Sequence, residues 1–404
     1  MEMNKQTPLS KSLILLLAIT CGVVVANMYY IQPIGTKVAA NLSVNTSAVG
    51  LLTMLTQLGY ALGLLFLVPL GDVVDRPKLI IRMAGLSALS LLAAFFAPNF
   101  ALFAVASFLI GLLSIVPQII IPYGAVLAGL AARGKTMGIL LSGLLMGILL
   151  SRTVSGLLAS WFSWRSVYLF ALCLVGALTV LLYLKLPRTQ GTLEKESTVS
   201  YLASLKSLPK LVKEQRLLRE AAINGFFMFG TFSLFWSTLI FYISSPAYGW
   251  GTFEAGILAI FGLSGAVAAP IVGRLADSYS ERRIVGMGLV MQTISFLALF
   301  IAGDYVAVLL VAIILLDVGN QFGQVANQSR VQGLGEATSN RNNTIFMFMY
   351  FIGGATGSLL GSMMWQHYGW VGVTVTGLIF QLCAFIFQYY FSTRRKNIQQ
   401  SLES

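Results

Sequence analysis

Apolar runs of about twenty residues recur along the whole chain and leave few ways to fold it. The first run extends from Ser12 to Tyr29. We predict later runs near 48–70, 79–98, 100–127, 136–160, 165–186, 219–243, 252–273, 283–302, 305–329, 343–366 and 369–392. A helix of roughly 20 apolar residues crosses the hydrocarbon core of a bilayer, whereas the strands of a membrane barrel alternate polar and apolar residues. The runs do not alternate, so we predict an all-α membrane protein with twelve transmembrane helices.

The first run follows a short, weakly basic start, Met1 to Lys11, as the apolar core of a signal peptide does. No A-x-A-like cleavage site closes this run, and the sequence continues as YYIQPIG. We therefore expect an uncleaved first span.

The composition is typical of a membrane protein, and the sequence lacks the motifs of the common enzyme classes. Hydrophobic residues make up 57% of the 404 residues and charged residues only 10%, whereas soluble domains carry about 25% charged residues. The three cysteines lie inside apolar runs without metal-ligand spacing, and the single histidine, His367, falls between two spans. There is no HExxH, no Ser/His/Asp set and no Walker loop. We therefore expect no catalytic site, no metal and no cofactor.

Positive charges are distributed unevenly over the loops. The net charge is +12, from 26 Lys and Arg against 14 Asp and Glu. Apart from Lys37, Arg152 and Arg165, the basic residues fall in or near one set of loops, which the positive-inside rule places in the cytoplasm. An even number of spans puts both termini on that side. We expect a multi-pass protein of a bacterial inner membrane, whose basic charge serves the lipid bilayer and no nucleic acid.

One long charged segment, Leu186 to Glu220, separates the sixth and seventh runs. Within it, leucines recur at roughly helical spacing from Tyr201 to Leu218, with lysines and an arginine between them. This pattern predicts either an amphipathic helix on the anionic leaflet or a solvated linker, and the residues favour neither.

Two charged hinges occupy corresponding places about two hundred residues apart. The first, Gly71 to Arg82, reads GDVVDRPKLIIR, and the second, Gly273 to Val285, reads GRLADSYSERRIV. A similar shift, four residues longer, superimposes three further positions: Gly147 on Gly353, Ser151 on Gly357 and Trp164 on Trp370. We predict two pseudo-symmetric six-helix bundles, 1–186 and 219–404, joined by a cytoplasmic linker, 187–218.

The hinge Gly71-Asp72-Val73-Val74-Asp75-Arg76, its echo Gly273 to Asp277 and the pair Trp164-Arg165 resemble motifs of the major facilitator superfamily. The resemblance covers nearly the whole chain. A closer resemblance, to the bacterial drug and sugar efflux branch, lies in NMYYIQPIG, LGYALGLLFLVPLGD, GLLMGILLSRTVSG, LLDVGNQ and GGATGSLLGS. It implies a monomeric secondary transporter in which two bundles rock about a central site.

The sequence departs from the family's patterns at two places. In the hinge, Pro77-Lys78 replaces the family's x-Gly-Arg, and Ser278 replaces the arginine of the echo. In span five, Gly143, Gly147 and Gly156 have the spacing found in exporters, but Ser151-Arg152 stands where those exporters carry Gly-Pro. Export is therefore not settled by that motif.

Two charges fall inside predicted spans, Arg152 in span five and Asp317 in span ten. A charge there costs roughly 2.5 to 3.5 kcal/mol on insertion scales, so each points to function or to a partner. We expect Asp317 to take and release a proton, with Arg152 favouring the ionised carboxylate when the two lie close. The alternative is a permanent ion pair, or an Arg152 that extends to the membrane surface.

Polar residues of the spans that line the path in this family are the candidate substrate cavity. Span ten presents Asn320, Gln321 and Gln324 next to Asp317, which either face a wet cavity or hydrogen-bond a neighbouring helix. The other candidates are Asn27, Tyr30 and Gln32 in span one, Gln118 and Tyr123 in span four, and Asn224, Phe227 and Trp236 in span seven. Aromatic faces with a few amides suit an apolar or amphipathic solute, including a cation.

The hinges supply the candidate cytoplasmic gate. Its residues are Gly71, Asp75, Arg76, Gly273, Asp277 and Arg282. We expect the glycines to allow close helix approach and the aspartates to accept backbone N–H groups at the start of the next helix. The alternative is a static turn anchor.

Together these patterns predict proton-coupled efflux of a small organic substrate, drug-like, amphipathic or sugar-like, by alternating access. The alternatives are uptake or facilitated diffusion of a sugar or metabolite, and, outside the carriers, a membrane sensor or channel.

Overall fold

The computed structural model describes residues 10–187, 201–335 and 338–403, which form helices and no strand. One 3₁₀ turn, Pro69–Asp72, lies in the first hinge. The helices are α1 Lys11–Ala26, α2 Ile31–Leu42, α3 Thr46–Phe66, α4 Arg76–Phe96, α5 Phe100–Leu113, α6 Val116–Leu127, α7 Gly129–Trp161, α8 Trp164–Lys185, α9 Tyr201–Glu214, α10 Arg216–Ile243, α11 Thr252–Phe261, α12 Leu263–Ser278, α13 Glu281–Ala302, α14 Val306–Gln332 and α15 Ser339–Glu403.

Short polar side chains define where several helices begin. Asn45, Asp75 and Asn99 each accept a hydrogen bond from a backbone N–H in the first turn of the helix that follows. Such a cap satisfies one of the N–H groups that the first turn leaves unpaired, and it contributes about 1 kcal/mol. These caps therefore fix the residues at which α3, α4 and α5 begin.

The number of spans follows from two broken helices. Ten segments in the described ranges are long and apolar enough to cross a membrane, and two of them, Phe100–Leu127 and Thr252–Leu275, join α5 to α6 and α11 to α12. The pair α1 and α2, bent by 41°, forms one more span. The apolar part of α15, Ser339–Tyr390, has 52 residues, far more than one crossing needs. Its backbone breaks at Gly369, whose φ of 61° and ψ of −150° are not helical. Dividing α15 there gives the twelve spans that the sequence predicts.

Corresponding helices of the two halves pack in the same way. The Gly147 backbone of α7 lies directly against Gly22 of α1, and the Gly357 backbone of α15 lies against Gly230 of α10. A β-carbon on either Gly147 or Gly357 would collide with the facing carbonyl oxygen. Glycine is required at these crossings because the backbones approach so closely. The two crossings join spans one and five, and spans seven and eleven.

The halves touch each other at one end, which we call the far end, and in the middle of the helices, where Gln57 of α3 donates to Ser233 and Ser358 of the second half. The other end, which carries Gly71 and Gly273, we call the hinge end. At the far end Gly50 of α3 lies against Ser362 of α15, and Gly156 of α7 lies against Thr252 and Gly256 of α11. Gln366 also accepts a hydrogen bond from the backbone N–H of Ser47 at 3.3 Å. Toward the hinge end, a β-carbon on Gly138 of α7 would meet no atom within 4 Å beyond its own stretch of helix.

Helix α9 forms within the predicted linker and packs against both bundles. Its Tyr201 hydroxyl donates to the Phe66 carbonyl at the end of α3 at 3.0 Å, and Arg341 of α15 donates to Ser207 at 2.8 Å. Leu208 and Leu211 are buried. The apolar face of α9 therefore packs against protein at the hinge end. From the sequence we expected either a helix on the lipid surface or a solvated linker, and the structure shows neither. Residues 188–200 of the predicted linker lie outside the described residues.

Candidate functional site

Arg152 of α7 is 1% exposed and lies in a cage of aromatic rings. Its guanidinium carbon is 4.3 Å from the ring centre of Trp236, 5.1 Å from that of Tyr29 and 5.4 Å from that of Phe232. Its Nε donates to the side-chain carbonyl of Gln32 at 2.6 Å. A desolvated cation over aromatic faces gains about 2 kcal/mol or more per favourable ring contact. The rings and the amide therefore make a buried arginine tolerable.

A break in span one assembles this cage. Helix α1 ends at Ala26 and α2 begins at Ile31, so the residues between them turn Tyr29 toward α7. The backbone carbonyl of Tyr30 accepts a hydrogen bond from the Ser155 hydroxyl of α7 at 2.6 Å. Backbone that leaves the helical pattern inside a bilayer is found where neighbouring side chains satisfy it, often at a binding site. The other two rings come from one face of α10, four residues apart.

Asp317 of α14 is 4% exposed and lies beside a second helix break. Its Oδ2 accepts a hydrogen bond from the Trp236 indole N–H at 3.2 Å. Its Oδ1 would be 3.1 Å from a β-carbon on Gly262, which separates α11 from α12, and its backbone packs against Gly265. The carboxylate thus lies against the start of α12.

Trp236 connects the two buried charges. Its ring face contacts the guanidinium of Arg152 and its N–H contacts the carboxylate of Asp317. The two charges interact electrostatically, yet among the described side chains no nitrogen of Arg152 comes within 4.0 Å of an oxygen of Asp317. The arrangement is therefore a charge pair separated by an indole, and not the permanent ion pair that was the alternative from sequence.

A small cavity, with room for about one water molecule, lies beside this pair. It is lined by Gln32, Pro33, Arg152, Trp236, Leu239, Ile240 and Ala255. Two of the predicted cavity residues, Gln32 and Trp236, therefore share one cavity wall with the predicted intramembrane charge Arg152. Asn27 and Asn224, also predicted, are buried, and their amide groups have no hydrogen-bond partner in the described part of the chain.

Three other predicted cavity residues contact helices away from this cavity. Gln118 donates to the Tyr60 hydroxyl at 3.0 Å, and the Tyr123 hydroxyl donates to the Pro187 carbonyl at 3.5 Å. The Phe227 ring lies 5.6 Å from that of Phe380 and 6.0 Å from that of Phe387. Tyr30 takes part through its backbone carbonyl, while Tyr29, its neighbour, supplies the ring.

Most of the polar side chains that follow Asp317 on α14 form hydrogen bonds with α15. Asn320 donates to the Tyr350 hydroxyl at 3.1 Å, and that hydroxyl donates to Gln324 at 3.2 Å. Gln328 donates to Asn343 at 3.0 Å. The sequence left two expectations for such amides, a wet cavity or hydrogen bonds to a neighbouring helix. In the structure these three form hydrogen bonds to the neighbouring helix. Gln321 is half-buried.

Sequence reasoning missed Tyr29 and Phe232 of the cage. The signal for Phe232 was present, because it precedes Trp236 by four residues and so shares its helical face. The signal for Tyr29 was weaker. It depends on the break in span one, which changes the face that each residue of YYIQPIG presents.

The hinge residues make local contacts. Asp75 accepts from the backbone N–H of Lys78 at 3.0 Å, as expected of a cap, and Arg76 donates to the Gly71 carbonyl at 2.8 Å. The close approach expected at the glycines is absent: a β-carbon on Gly71 would be 3.6 Å from its nearest neighbour, and Gly273 has none within 4 Å. The halves touch at the far end, which leaves room here. The side chain of Asp277 lies outside those that the structure describes.

Arg282, the remaining gate candidate, belongs to a buried cluster of charges that the sequence did not reveal. Its Nη2 lies 2.8 Å from an oxygen of Glu220 on α10, and Arg330 of α14 lies 3.0 Å from the other oxygen. Arg330 also donates to Asn327 at 3.2 Å. The cluster ties α10, α13 and α14 together near the hinge end. The available signal was Glu220 itself, an acidic residue at the start of an apolar run.

Comparison with known proteins agrees with this architecture. The sequence profile of the Major Facilitator Superfamily matches residues 17–332 and 221–404. The uncharacterized transporter YgaY of Escherichia coli O157:H7 is 36% identical over 369 residues, which cover 91% of this chain and 93% of that protein. A probable sugar efflux transporter of Pasteurella multocida is 29% identical over 227 residues, covering 55% of this chain and 53% of that protein.

A solved structure shares the fold at low sequence identity. It is the bacterial homolog of the human lysosomal transporter Spinster, in an inward-facing and unoccupied conformation. The TM-score is 0.78 at 13% identity, with 95% of this chain and 98% of that chain covered. The profile match and the relative from Escherichia coli extend over nearly the whole sequence. The chain therefore belongs to the Major Facilitator Superfamily and is a multi-pass membrane transporter.

Proposed function

We propose that this transporter is a proton-coupled exporter of small organic compounds that acts as a monomer in a bacterial cytoplasmic membrane. The observation that carries the proposal is the contact of one indole, Trp236, with both intramembrane charges. Arg152 belongs to the first half of the chain and Asp317 to the second. A movement of one half against the other therefore changes the distance between them.

The coupling step follows from that geometry. With the halves in contact at the far end, Asp317 is stabilised as a carboxylate by the indole N–H and by the field of Arg152. When the halves separate there, Arg152 moves away with α7, and the buried carboxylate takes a proton. The proton is released when the halves close again. Such a cycle links one proton to each rocking movement.

Three observations support export, with the hinge end as the cytoplasmic entrance. The halves are in contact at the far end, and the structurally similar Spinster homolog is inward-facing. The Pasteurella multocida relative carries the name of a sugar efflux transporter. The gradients set the direction in any carrier of this kind, so direction is part of what the experiment below measures.

The test uses the purified protein in proteoliposomes. A thermal-shift screen against drugs, sugars and metabolites supplies a substrate, because a ligand that binds only the folded state raises the melting temperature. For Asp317→Asn we expect loss of proton-driven uphill transport with downhill exchange retained. The control is Asp304→Asn, an exposed carboxylate bound to Tyr242 at 2.8 Å, which should transport uphill normally.

Unchanged uphill transport by Asp317→Asn would remove this residue from the coupling mechanism. Counterflow by the wild-type protein distinguishes the classes of function. An alternating-access carrier shows counterflow, a channel conducts without it, and a sensor gives no flux at all.

A further inference from the structure

We infer that α9 is a strut that holds the hinge end open, and that the first half must release it before the hinge end can close. The helix thereby limits how often the two halves change between their states. The inference rests on the rocking movement of the proposed function, and it goes beyond that function because it assigns a regulatory role to the segment that joins the halves.

Helices α3 and α15 run side by side in opposite directions and form a seam between the two halves. Their direct contacts extend from the far end to the middle of the helices and pair Gly50 with Ser362, Gln57 with Ser358, and Tyr60 with Phe351. Each successive pair lies closer to the end of α3 at Phe66 and to the start of α15 at Ser339. The next level along the seam is the hinge end, where α9 lies.

Helix α9 contacts both sides of the seam at this level. Its Tyr201 hydroxyl donates to the carbonyl of Phe66, the last residue of α3, at 3.0 Å, and its Ser207 accepts from Arg341, near the start of α15, at 2.8 Å. The helix also packs against the 3₁₀ turn that follows α3. Tyr201 and Ser207 are six residues apart, which is about 9 Å along a helix axis. A rigid piece of helix therefore lies between the contact with the first half and the contact with the second.

The second half anchors α9. A single residue, Gln215, separates the end of α9 from the start of α10. Arg219 of α10 donates to the carbonyls of Val212 and Lys213, which belong to the last turn of α9. These bonds satisfy carbonyl groups that the end of a helix leaves unpaired. When the halves move, α9 therefore stays with the second half, and its contact with Phe66 is the one that breaks.

Closing of the hinge end brings α3 and α15 together at the level where α9 now lies. The halves are in contact at the far end and in the middle, so the separation of these two helices changes most at the hinge end. Burial of Leu208 and Leu211 holds α9 in place, and one buried leucine corresponds to about tenfold or more in an equilibrium constant. Contacts made in only one of two states shift the balance toward that state. Docked α9 therefore stabilises the state that is open at the hinge end.

The test compares the same exchange at a buried and at an exposed leucine of α9. Leu208 is 8% exposed and Leu202 is 61% exposed. The readout is the rate at which a maleimide labels Ser362→Cys in the purified full-length protein, with the three native cysteines replaced by serine. Ser362 is buried at the far end, so labelling reports opening there. We expect labelling to be at least about tenfold faster in Leu208→Ser and unchanged in Leu202→Ser.

Two further variants remove the strut in other ways. Tyr201→Phe removes only the hydrogen bond to the first half, and we expect labelling a few-fold faster. Replacement of residues 201–214 by a flexible Gly/Ser segment of equal length removes the helix and keeps the halves joined, so labelling should be at least as fast as in Leu208→Ser. A second readout is the distance between spin labels at Val74→Cys and Tyr279→Cys, exposed positions of the two hinges, which should become shorter. Size-exclusion profiles and melting curves show that each variant is folded.

Three results would overturn the inference. They are unchanged labelling and hinge distance after the Gly/Ser replacement, slower labelling in Leu208→Ser, and an equally large response in Leu202→Ser. Gly156→Val separates this failure from failure of the proposed movement, because its side chain collides with the Thr252 carbonyl at the far end and does not act through α9. If Gly156→Val speeds labelling and the α9 variants do not, the movement stands and only the strut falls. If neither does, both fall together.

Discussion

At the scale of single residues, the two intramembrane charges are stabilised without direct contact between them. Arg152 is held by three rings and one amide, and Asp317 by an indole N–H and the start of α12. Burying an ion pair costs more than it returns unless the geometry is excellent. Two of the rings around Arg152, Phe232 and Trp236, belong to the second half, so a movement of the halves changes the surroundings of both charges. Trp236 is the residue on which both depend.

Trp236→Phe tests this dependence. Phenylalanine keeps an aromatic face near Arg152 but has no N–H for Asp317. The hydrogen bond to a charged acceptor is worth about 1.5–3 kcal/mol, so we expect the initial rate of proton-driven transport to fall by about tenfold or more. The control is Trp365→Phe, where the ring stacks on Phe241 with centres 6.4 Å apart. Equal losses in the two variants would show that the effect is one of general packing.

At the scale of helices, the hinge end of the second half is organised around Glu220. This carboxylate joins Arg282 of α13 and Arg330 of α14 to α10, and it is buried. A buried charge cluster of this kind fixes which helices lie together, because removing one member leaves the others without a counter-charge. The exposed pair Lys210 and Glu214 of α9, at 3.7 Å, has no such consequence.

Glu220→Gln and Glu214→Gln form a matched pair of variants. Glu220→Gln leaves two arginines facing a neutral amide, and we expect a loss of about 3 kcal/mol in the free energy of unfolding. Glu214→Gln removes a solvent-exposed pair and should cost less than about 1 kcal/mol. Melting curves in detergent check both. A melting temperature for Glu220→Gln equal to that of Glu214→Gln would contradict a structural role for the cluster.

At the scale of the whole molecule, the far end is closed by glycine contacts between the two halves. Gly156 of α7 meets Thr252 and Gly256 of α11, and Gly50 of α3 meets Ser362 of α15. Backbones this close leave no room for side chains. A side chain added at one of these glycines acts against the closed end only, because the opposite state separates the halves there.

Gly156→Val should therefore shift the transporter toward a state that is open at the far end. A β-carbon at Gly156 would lie 2.8 Å from Cα of Gly256. The readout is labelling of a single cysteine, Ser362→Cys, with the native cysteines Cys21, Cys173 and Cys383 replaced by serine. We expect a membrane-impermeant maleimide to label it faster in Gly156→Val. In the control Gly138→Val, on the same helix but without neighbours within 4 Å, labelling should be unchanged.

The helices and their ends follow from local rules and were predictable. Runs of apolar residues gave the spans, and Asp75 was expected to cap the helix that follows it, as it does. The two buried charges were recognisable because an isolated charge in an apolar run is costly wherever the helix packs. Repetition of the hinge gave the two halves. None of these inferences requires knowing which helix faces which.

The partners of each side chain depend on packing between distant segments, which local patterns do not encode. Helical periodicity placed Asn320 and Gln324 on one face but did not say that Tyr350 faces them. It could not bring Tyr29 to Arg152, more than a hundred residues away, because a break in span one turns that ring.

The sequence by itself determined the membrane class, the number of spans and the two intramembrane charges, since each depends on the free energy of placing a residue type in lipid, and its repeated hinge indicated the two halves. Only the tertiary structure decided that the charges share Trp236, that α9 contacts both halves, and that Glu220 binds two arginines. The physical reason is that these contacts exist only after helices far apart in the sequence have packed.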